Sequence, residues 1–362
     1  MSRPARPTRV AVAGLGRAAR LYHVPSLARI DGAELVGGFD PLESSRTSWT
    51  AETGTPAYAE LDELLARTTP EVVIVSTPPE THADLCVRCL EAGAHLIVEK
   101  PFAESVADAD RVLAAAAVAG RRVAVNHQFV EAPIFRAVIE AARRGEYGRL
   151  AFGQVWQLMD LAPWDEPTAW RAGMARRTLL EGGVHLVYLL VALFGEVPVA
   201  VTAQHSAGYH EDPEADAVQL VTLEFPGRRL GQITIDRLCK GGTRYMELRG
   251  DCERGSLRAS LGGRAVVQLG MKRAERTGAR LDFGAGGLAW VETGLRRKTL
   301  ARSPRDMTTK ATERVLQGAL QAFRNGVEPA SSGASARETI AIIDAAYRSA
   351  ETGARVPLVR PA

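Results

Sequence analysis

Cysteine is scarce in this chain of 362 residues: Cys86, Cys89, Cys239 and Cys252 are the whole set. Four thiols in so long a chain exclude a disulfide-built scaffold, and a reducing cytoplasm is the simplest compartment. Cys86-Val87-Arg88-Cys89 fits CxxC, but it lies inside an apparent helix and has no second pair at zinc spacing. It is therefore read as helix packing, and no metal is expected. Long apolar runs are missing as well. No span reaches membrane length, and MSRPARPTRV carries no apolar leader core. Charge of one sign is also lacking: 45 Lys and Arg oppose 42 Asp and Glu for a net +3, with the arginines scattered. That balance argues against nucleic acid or an anionic membrane as partner. What is present, 46% hydrophobic and 24% charged residues, is the composition of a soluble globular protein. The length calls for two domains.

Residues 10–126 alternate short apolar runs with helical spacing. Strands are expected at 10–13, 34–39, 72–76, 95–98 and 122–126, and helices at 18–30, 58–67, 81–92 and 103–119. Such alternation predicts an α/β domain, a doubly wound parallel sheet of the Rossmann type, over residues 1–126. After Pro133 the texture changes. A helix at 134–144 is followed by strands at 151–157, 199–205, 217–225, 230–236, 245–249 and 256–259. Phe225-Pro226-Gly227-Arg228 reads as a hairpin turn and Arg249-Gly250-Asp251 as another reversal. Strands without intervening helices predict an α+β domain over 127–333 with a large, mostly antiparallel sheet. Residues 271–310, polar and arginine-rich, read as a loop or arm, and helices at 312–324 and 334–352 finish the chain.

Gly14-Leu15-Gly16-Arg17-Ala18-Ala19 follows the first strand and opens the first helix as GxGxxA. Its glycines permit a tight turn and close approach to a pyrophosphate, which rests on helix N–H groups. Asp40 closes the second strand, where a carboxylate accepts from ribose hydroxyls; the alternative is a turn residue before Pro41. A carboxylate there favours NAD over NADP, while Ser44, Ser45 and Arg46 just downstream leave NADP open. Ala94-His95-Leu96-Ile97-Val98 reads as a buried parallel strand, so Glu99-Lys100-Pro101 falls at its carboxyl end, the rim where open α/β sheets bind ligands.

With the glycine turn, Ser76-Thr77-Pro78-Pro79-Glu80-Thr81-His82 and Glu99-Lys100-Pro101 in this order, the chain resembles the Gfo/Idh/MocA family (glucose–fructose oxidoreductase and inositol dehydrogenase-like) from Val10 to Leu358. The resemblance includes Gly145-Glu146-Tyr147-Gly148 and the closing helix, which in the family packs back on the nucleotide domain. It implies that Gly14, Leu15, Gly16, Arg17, Ala18, Asp40, Ser76, Thr77, Pro78, His82, Glu99, Lys100 and Gln128 bind the dinucleotide. It further implies that Lys100 is the catalytic lysine and that Lys100–Pro101 is often cis. The family's second motif is Asp-x-Gly-x-His with a later Asp; in Glu181-Gly182-Gly183-Val184-His185 the histidine is retained, Glu181 replaces the Asp, and Tyr188 replaces the later Asp. Glu181 and His185, four apart, share a helix face, so Glu181 is expected to orient His185, which exchanges a proton with a substrate hydroxyl. Trp156, Trp164, Arg171, Arg177 and Tyr188 are candidate substrate contacts, and Arg171 with Arg176-Arg177 would suit an anionic group.

The resemblance implies an NAD(P)-dependent oxidoreductase that transfers hydride between nicotinamide and a secondary alcohol or ketone of a sugar, cyclitol or related polyol. A homodimer or homotetramer is expected with it. Two alternatives stand: NAD-dependent elimination or glycoside cleavage without net redox change, and a non-catalytic dinucleotide or sugar sensor.

Overall fold

The computed structural model describes residues 6–160, 176–209, 216–240, 245–261, 287–304 and 306–358. Strands β1 (Thr8–Ala13), β2 (Ala33–Phe39), β3 (Ala57–Tyr58), β4 (Val72–Val75), β5 (His95–Val98) and β6 (Val123–Val125) form a parallel sheet in the order β3-β2-β1-β4-β5-β6. The central strands β1, β4, β5 and β6 are mostly apolar because both faces are covered. Ala11, Ala13, Val73, Val75, Leu96 and Val98 point into one core, while Val10, Val12, Ile74 and Ile97 point into another. Between the strands run α1 (Val24–Leu27, entered through the π-helical Ala19–His23), α2 (Glu43–Thr53), α3 (Leu61–Thr68), α4 (His82–Glu91) and α5 (Val106–Ala119). The helix α2 was not legible in the sequence: of its eleven residues only Trp49 is buried, too few for a periodic stripe. Cys86 and Cys89 sit buried on α4, and burial pushes the Cys89 thiol up to about 12.

The second sheet holds β7 (Leu150–Leu158), β8 (Ala200–Ser206), β9 (Val218–Phe225), β10 (Arg229–Asp236), β11 (Tyr245–Cys252), β12 (Gly255–Leu261), β13 (Leu288–Thr293), β14 (Arg296–Arg302) and β15 (Val356–Pro357). Their order is β14-β13-β12-β11-β7-β10-β9-β8-β15, and among the described residues only β7 with β10 is a parallel pair. The helices α6 (Pro133–Arg143), α7 (Val184–Phe194) and α9 (Gly333–Thr352) pack on one face, and α8 (Met307–Arg324) returns to the first sheet. Among the described residues no helix is long and apolar enough to cross a membrane.

Three expectations change. The stretch 271–310 is not all loop: it contains β13, β14 and the start of α8. Arg249-Gly250-Asp251 is not a reversal but lies within β11; a Cβ on Gly250 would come 3.1 Å from Leu150, so the glycine serves close packing. The closing helix α9 lies on the first sheet only through its start, where Gly333 meets Leu113 and Val123. Ile340 to Tyr347 pack into the second core. It is α8, through Leu316, Ala319, Leu320 and Phe323, that covers a face of the first sheet.

Candidate active site

The carboxyl ends of β1, β4, β5 and β6 lie on one rim, and the strand order reverses between β1 and β4. There the chain turns at Gly14, with φ +90°. A Cβ on Gly14 would lie 2.7 Å from the Ser76 and Thr77 backbone, so only glycine fits. Gly16 and Arg17 are exposed at the mouth of the turn, Ala18 is half-buried, and residues 17–27 run on as helix. The Leu15 N–H donates to Asp40 Oδ2 (3.0 Å) and the Leu42 N–H to Oδ1 (2.9 Å), which pins the buried carboxylate beside the turn. Arg46 donates to the carbonyls of Asp40 and Pro41.

Thr77 and Pro78 are half-buried opposite the glycine turn. The His82 ring lies between two carbonyl oxygens, those of Thr77 (2.9 Å) and Pro101 (3.0 Å), and so braces the loops after β4 and β5 against each other. Burial lowers its pKa, and those carbonyls and Glu99 act in the opposite sense. His82 thus touches the Thr77 loop, opposite the glycine turn, through the Thr77 carbonyl. Ser76 Oγ and Gln128 Oε1 are buried polar atoms without a hydrogen-bond partner among the described residues. Such atoms beside a glycine turn suit a dinucleotide, a ligand rich in donors and acceptors.

Glu99 points back into the first domain. It accepts from Asn126 Nδ2 (2.7 Å) and pairs with His23 Nε2 (2.7 Å), while the Lys100 N–H donates to its second oxygen (3.2 Å). Burial pushes its pKa up, but the hydrogen bond and charge of His23, the Asn126 bond and the Lys100 charge hold it at about 2. The Lys100–Pro101 bond is cis. Lys100 Nζ donates to the Glu181 carbonyl (3.1 Å) and to its Oε1 (3.3 Å), across the junction between the sheets.

Glu181 does not sit on a regular α-helix with His185. It belongs to a π-helical turn, Thr178–Gly183, that leads into α7. The wider i→i+5 winding changes which residues stack, and the Glu181 carboxylate lies between Lys100 and Arg237, whose Nη2 donates to Oε2 (3.0 Å). The lysine and the Arg237 guanidinium are thus both partners of the Glu181 carboxylate. His185 is buried with its ring 4.5 Å from that of Phe129, and Tyr188, one turn on, stacks on His127 at 3.9 Å. The turn itself is capped by Asp216, whose Oδ2 accepts from the Thr178 N–H (2.8 Å) and the Tyr347 hydroxyl (2.6 Å).

The substrate candidates divide. Tyr188 and the buried Arg177 belong to the segment bearing Glu181 and His185. Trp156 does not: β7 turns Gly153 and Val155 toward α7, so Trp156 faces the opposite side of the sheet. Arg176 is no anion receptor either, because it ion-pairs on the surface with Asp344 (3.0 Å) and Glu351 (3.1 Å) of α9. Trp164 and Arg171 lie outside the described residues. The sequence reading missed Arg237, His127, Asn126 and His23. Asn126 and His127 follow β6 on the ligand rim, a position that singles them out; a lone arginine after a strand gives no such signal.

A sheet in the order 3-2-1-4-5-6 with a glycine turn at its switch point, facing a lysine and a buried histidine at the junction with a second sheet, defines a two-domain dinucleotide-dependent oxidoreductase. The chain belongs to the Gfo/Idh/MocA oxidoreductase family. The family's NAD-binding Rossmann fold matches residues 8–127, and its C-terminal domain matches residues 135–258. The D-apiose dehydrogenase of Paraburkholderia graminis is 26% identical over 353 residues, covering 93% of this chain and 86% of the relative. Two solved structures share the fold. The WlbA dehydrogenase of Bordetella pertussis, in complex with NADH and UDP-GlcNAcA, has a TM-score of 0.78 at 22% identity, covering 99% of each chain. The inositol dehydrogenase homologue of Azotobacter vinelandii, with NADH and myo-inositol, has a TM-score of 0.79 at 18% identity, covering 98% of each chain.

Proposed function

We propose that the protein oxidises a secondary alcohol of a sugar, cyclitol or related polyol, or reduces the matching ketone, with Lys100 as the proton-transfer group. The observation that carries this reading is the hydrogen bond from Lys100 Nζ to Glu181 (3.3 Å to Oε1), which joins the cofactor rim to the turn preceding His185. NAD, when bound along the Gly14 turn, supplies the hydride acceptor. Lys100 and His185 exchange the hydroxyl proton, and Glu181 holds the lysine in place. Arg177 and Tyr188 face the substrate. The sugar and cyclitol dehydrogenations named for relatives of this chain support the substrate class.

In this reading residues 1–126 hold the dinucleotide and residues 127–333 hold the substrate and make a homodimer or homotetramer. The outer face of the second sheet, where Leu220 is 43% and Leu230 45% exposed, supports the latter; a monomer by light scattering would remove it. NAD is preferred over NADP, since the fixed Asp40 carboxylate opposes a 2′-phosphate and Arg46 directs its Nη1 to the Asp40 and Pro41 carbonyls.

The test is NADH formation over a panel of polyols, aminosugars and uronates, repeated with NADP, for the wild type and Lys100→Ala. The variant should keep NAD binding largely intact and lose turnover by about 100-fold or more. Wild-type turnover in Lys100→Ala would sink the assignment, and substrate conversion without NADH would point to elimination instead.

A further inference from the structure

We propose that Arg237, the residue directly after β10, is a positioning residue of the proton-transfer site: it holds Glu181 so that the carboxylate meets Lys100. The inference rests on the role of Lys100 given above. The Arg237 side chain is 2% exposed, and its Nη2 donates to Glu181 Oε2 at 3.0 Å while Oε1 accepts from Lys100 at 3.3 Å. A carboxylate bound at one oxygen by a guanidinium and at the other by an ammonium cannot swing without breaking a charged hydrogen bond. The guanidinium is the firmer anchor, because it stays charged and its donors are rigidly arrayed. Burying such a cation is costly unless a carboxylate compensates it.

Gly182 provides a second, independent observation. Its φ is not positive, so the backbone there is open to any residue. What a side chain would meet there is the guanidinium: a Cβ would lie 2.8 Å from Arg237 Nη2 and 3.3 Å from Ile235 Cδ1, so any larger residue would push Nη2 aside. The residue beside Glu181 is thus cut back where the guanidinium passes. The Arg237 N–H donates to the Ala217 carbonyl at 3.1 Å, which fixes the base of the side chain. Lys100 comes from the first sheet, Arg237 from the second, and Glu181 joins them. Arg237 therefore sets where the second domain presents its carboxylate to the lysine.

Two variants test this. Arg237→Met removes the cation at similar length, and Gly182→Ala keeps it while crowding Nη2. Crystal structures of both with NAD, beside the wild type, should show the Glu181–Lys100 hydrogen bond broken. With the polyol that the wild type oxidises fastest, kcat should fall about 10- to 100-fold with KM for NAD little changed, and Arg237→Lys should recover part of it. In a Glu181→Gln background, Arg237→Met should cost almost nothing further in kcat, because both changes break one unit. A Glu181–Lys100 hydrogen bond intact in the variant structures, or an effect of Arg237→Met that is undiminished in Glu181→Gln, would overturn the proposal. If Arg237→Met fails to fold, the Gly182→Ala structure decides. Loss of turnover in Lys100→Ala with wild-type behaviour in both variants rejects this inference alone; normal turnover in Lys100→Ala rejects the reading beneath it.

Discussion

His127 follows β6, is 1% exposed and stacks its ring on Tyr188 at 3.9 Å. Burial brings its pKa down from imidazole's ordinary 6.5 to about 3; the Glu99 charge opposes the shift and the Lys100 charge adds to it. A depressed basic group binds protons more readily in the unfolded chain. Its contribution to stability is therefore complete above pH 6.5 and drains away as the pH falls toward 3, where the folded ring protonates too. The expected loss is a little over ~1 kcal/mol per pH unit. His127→Phe keeps an aromatic ring on Tyr188 and removes the titration. Urea unfolding at pH 7.5 and 4.5 should therefore show a smaller drop in stability for the variant than for the wild type. Equal drops would mean that the ring reaches water before the fold opens. At this scale the sequence revealed residues whose placement follows from position along one strand. The positions of Lys100 and Asp40 were legible from the strands they follow, and that of Gly14 from the turn it makes; their roles remain those proposed above. Arg237 was not legible in this way, because its meaning depends on a carboxylate 56 positions away that the fold brings to 3.0 Å.

The π-helical turn Thr178–Gly183 is held by α9 as well as by its own chain. The Tyr347 hydroxyl donates to Asp216, also contacts the Arg176 carbonyl, and accepts from the Leu179 N–H at 3.1 Å. Burial, followed by the Asp216 charge, pushes the phenol well above its ordinary value, so it stays a donor at any working pH. Tyr347→Phe leaves the Leu179 N–H and an Asp216 lone pair without this partner in a buried place, at a cost of about 1–3 kcal/mol. Turnover should fall along with stability, because the loosened turn carries Glu181. Chemical denaturation and kcat read the two effects, and a stability within ~0.5 kcal/mol of wild type would show that the hydroxyl is not needed. Elements of this kind explain where the sequence was hard to read. The strand β14 presents Arg296-Arg297-Lys298 to solvent and, among the described residues, pairs only with β13, so no face of it shows an apolar period. The buried strands of the first sheet, covered on both faces, read as plain apolar runs and were recovered.

The two sheets do not close their cores separately. One face of the first sheet is covered by Leu316, Ala319, Leu320 and Phe323 of α8, which the chain supplies only after building eight strands of the second sheet. Ala336, near the start of α9, packs on the other face, while Ile340, Ile343 and Tyr347 of the same helix complete the second core. The last strand, β15, then closes the edge of the second sheet against β8. Unfolding either sheet strips a helix from the other, so the molecule should melt in one cooperative step. NAD makes that testable, because the glycine turn and the Asp40 carboxylate proposed to bind it stand on the first sheet. At a free concentration 100 times its Kd, NAD adds ~2.7 kcal/mol to whatever unit it binds. Scanning calorimetry should show a single endotherm that moves upward whole. Two endotherms, of which NAD moves only one, would show that the helices shared between the cores do not couple the sheets. The Lys100–Glu181 hydrogen bond would then depend on how two independent bodies meet. With one endotherm, the geometry that carries the chemistry is held by the same free energy that holds the fold.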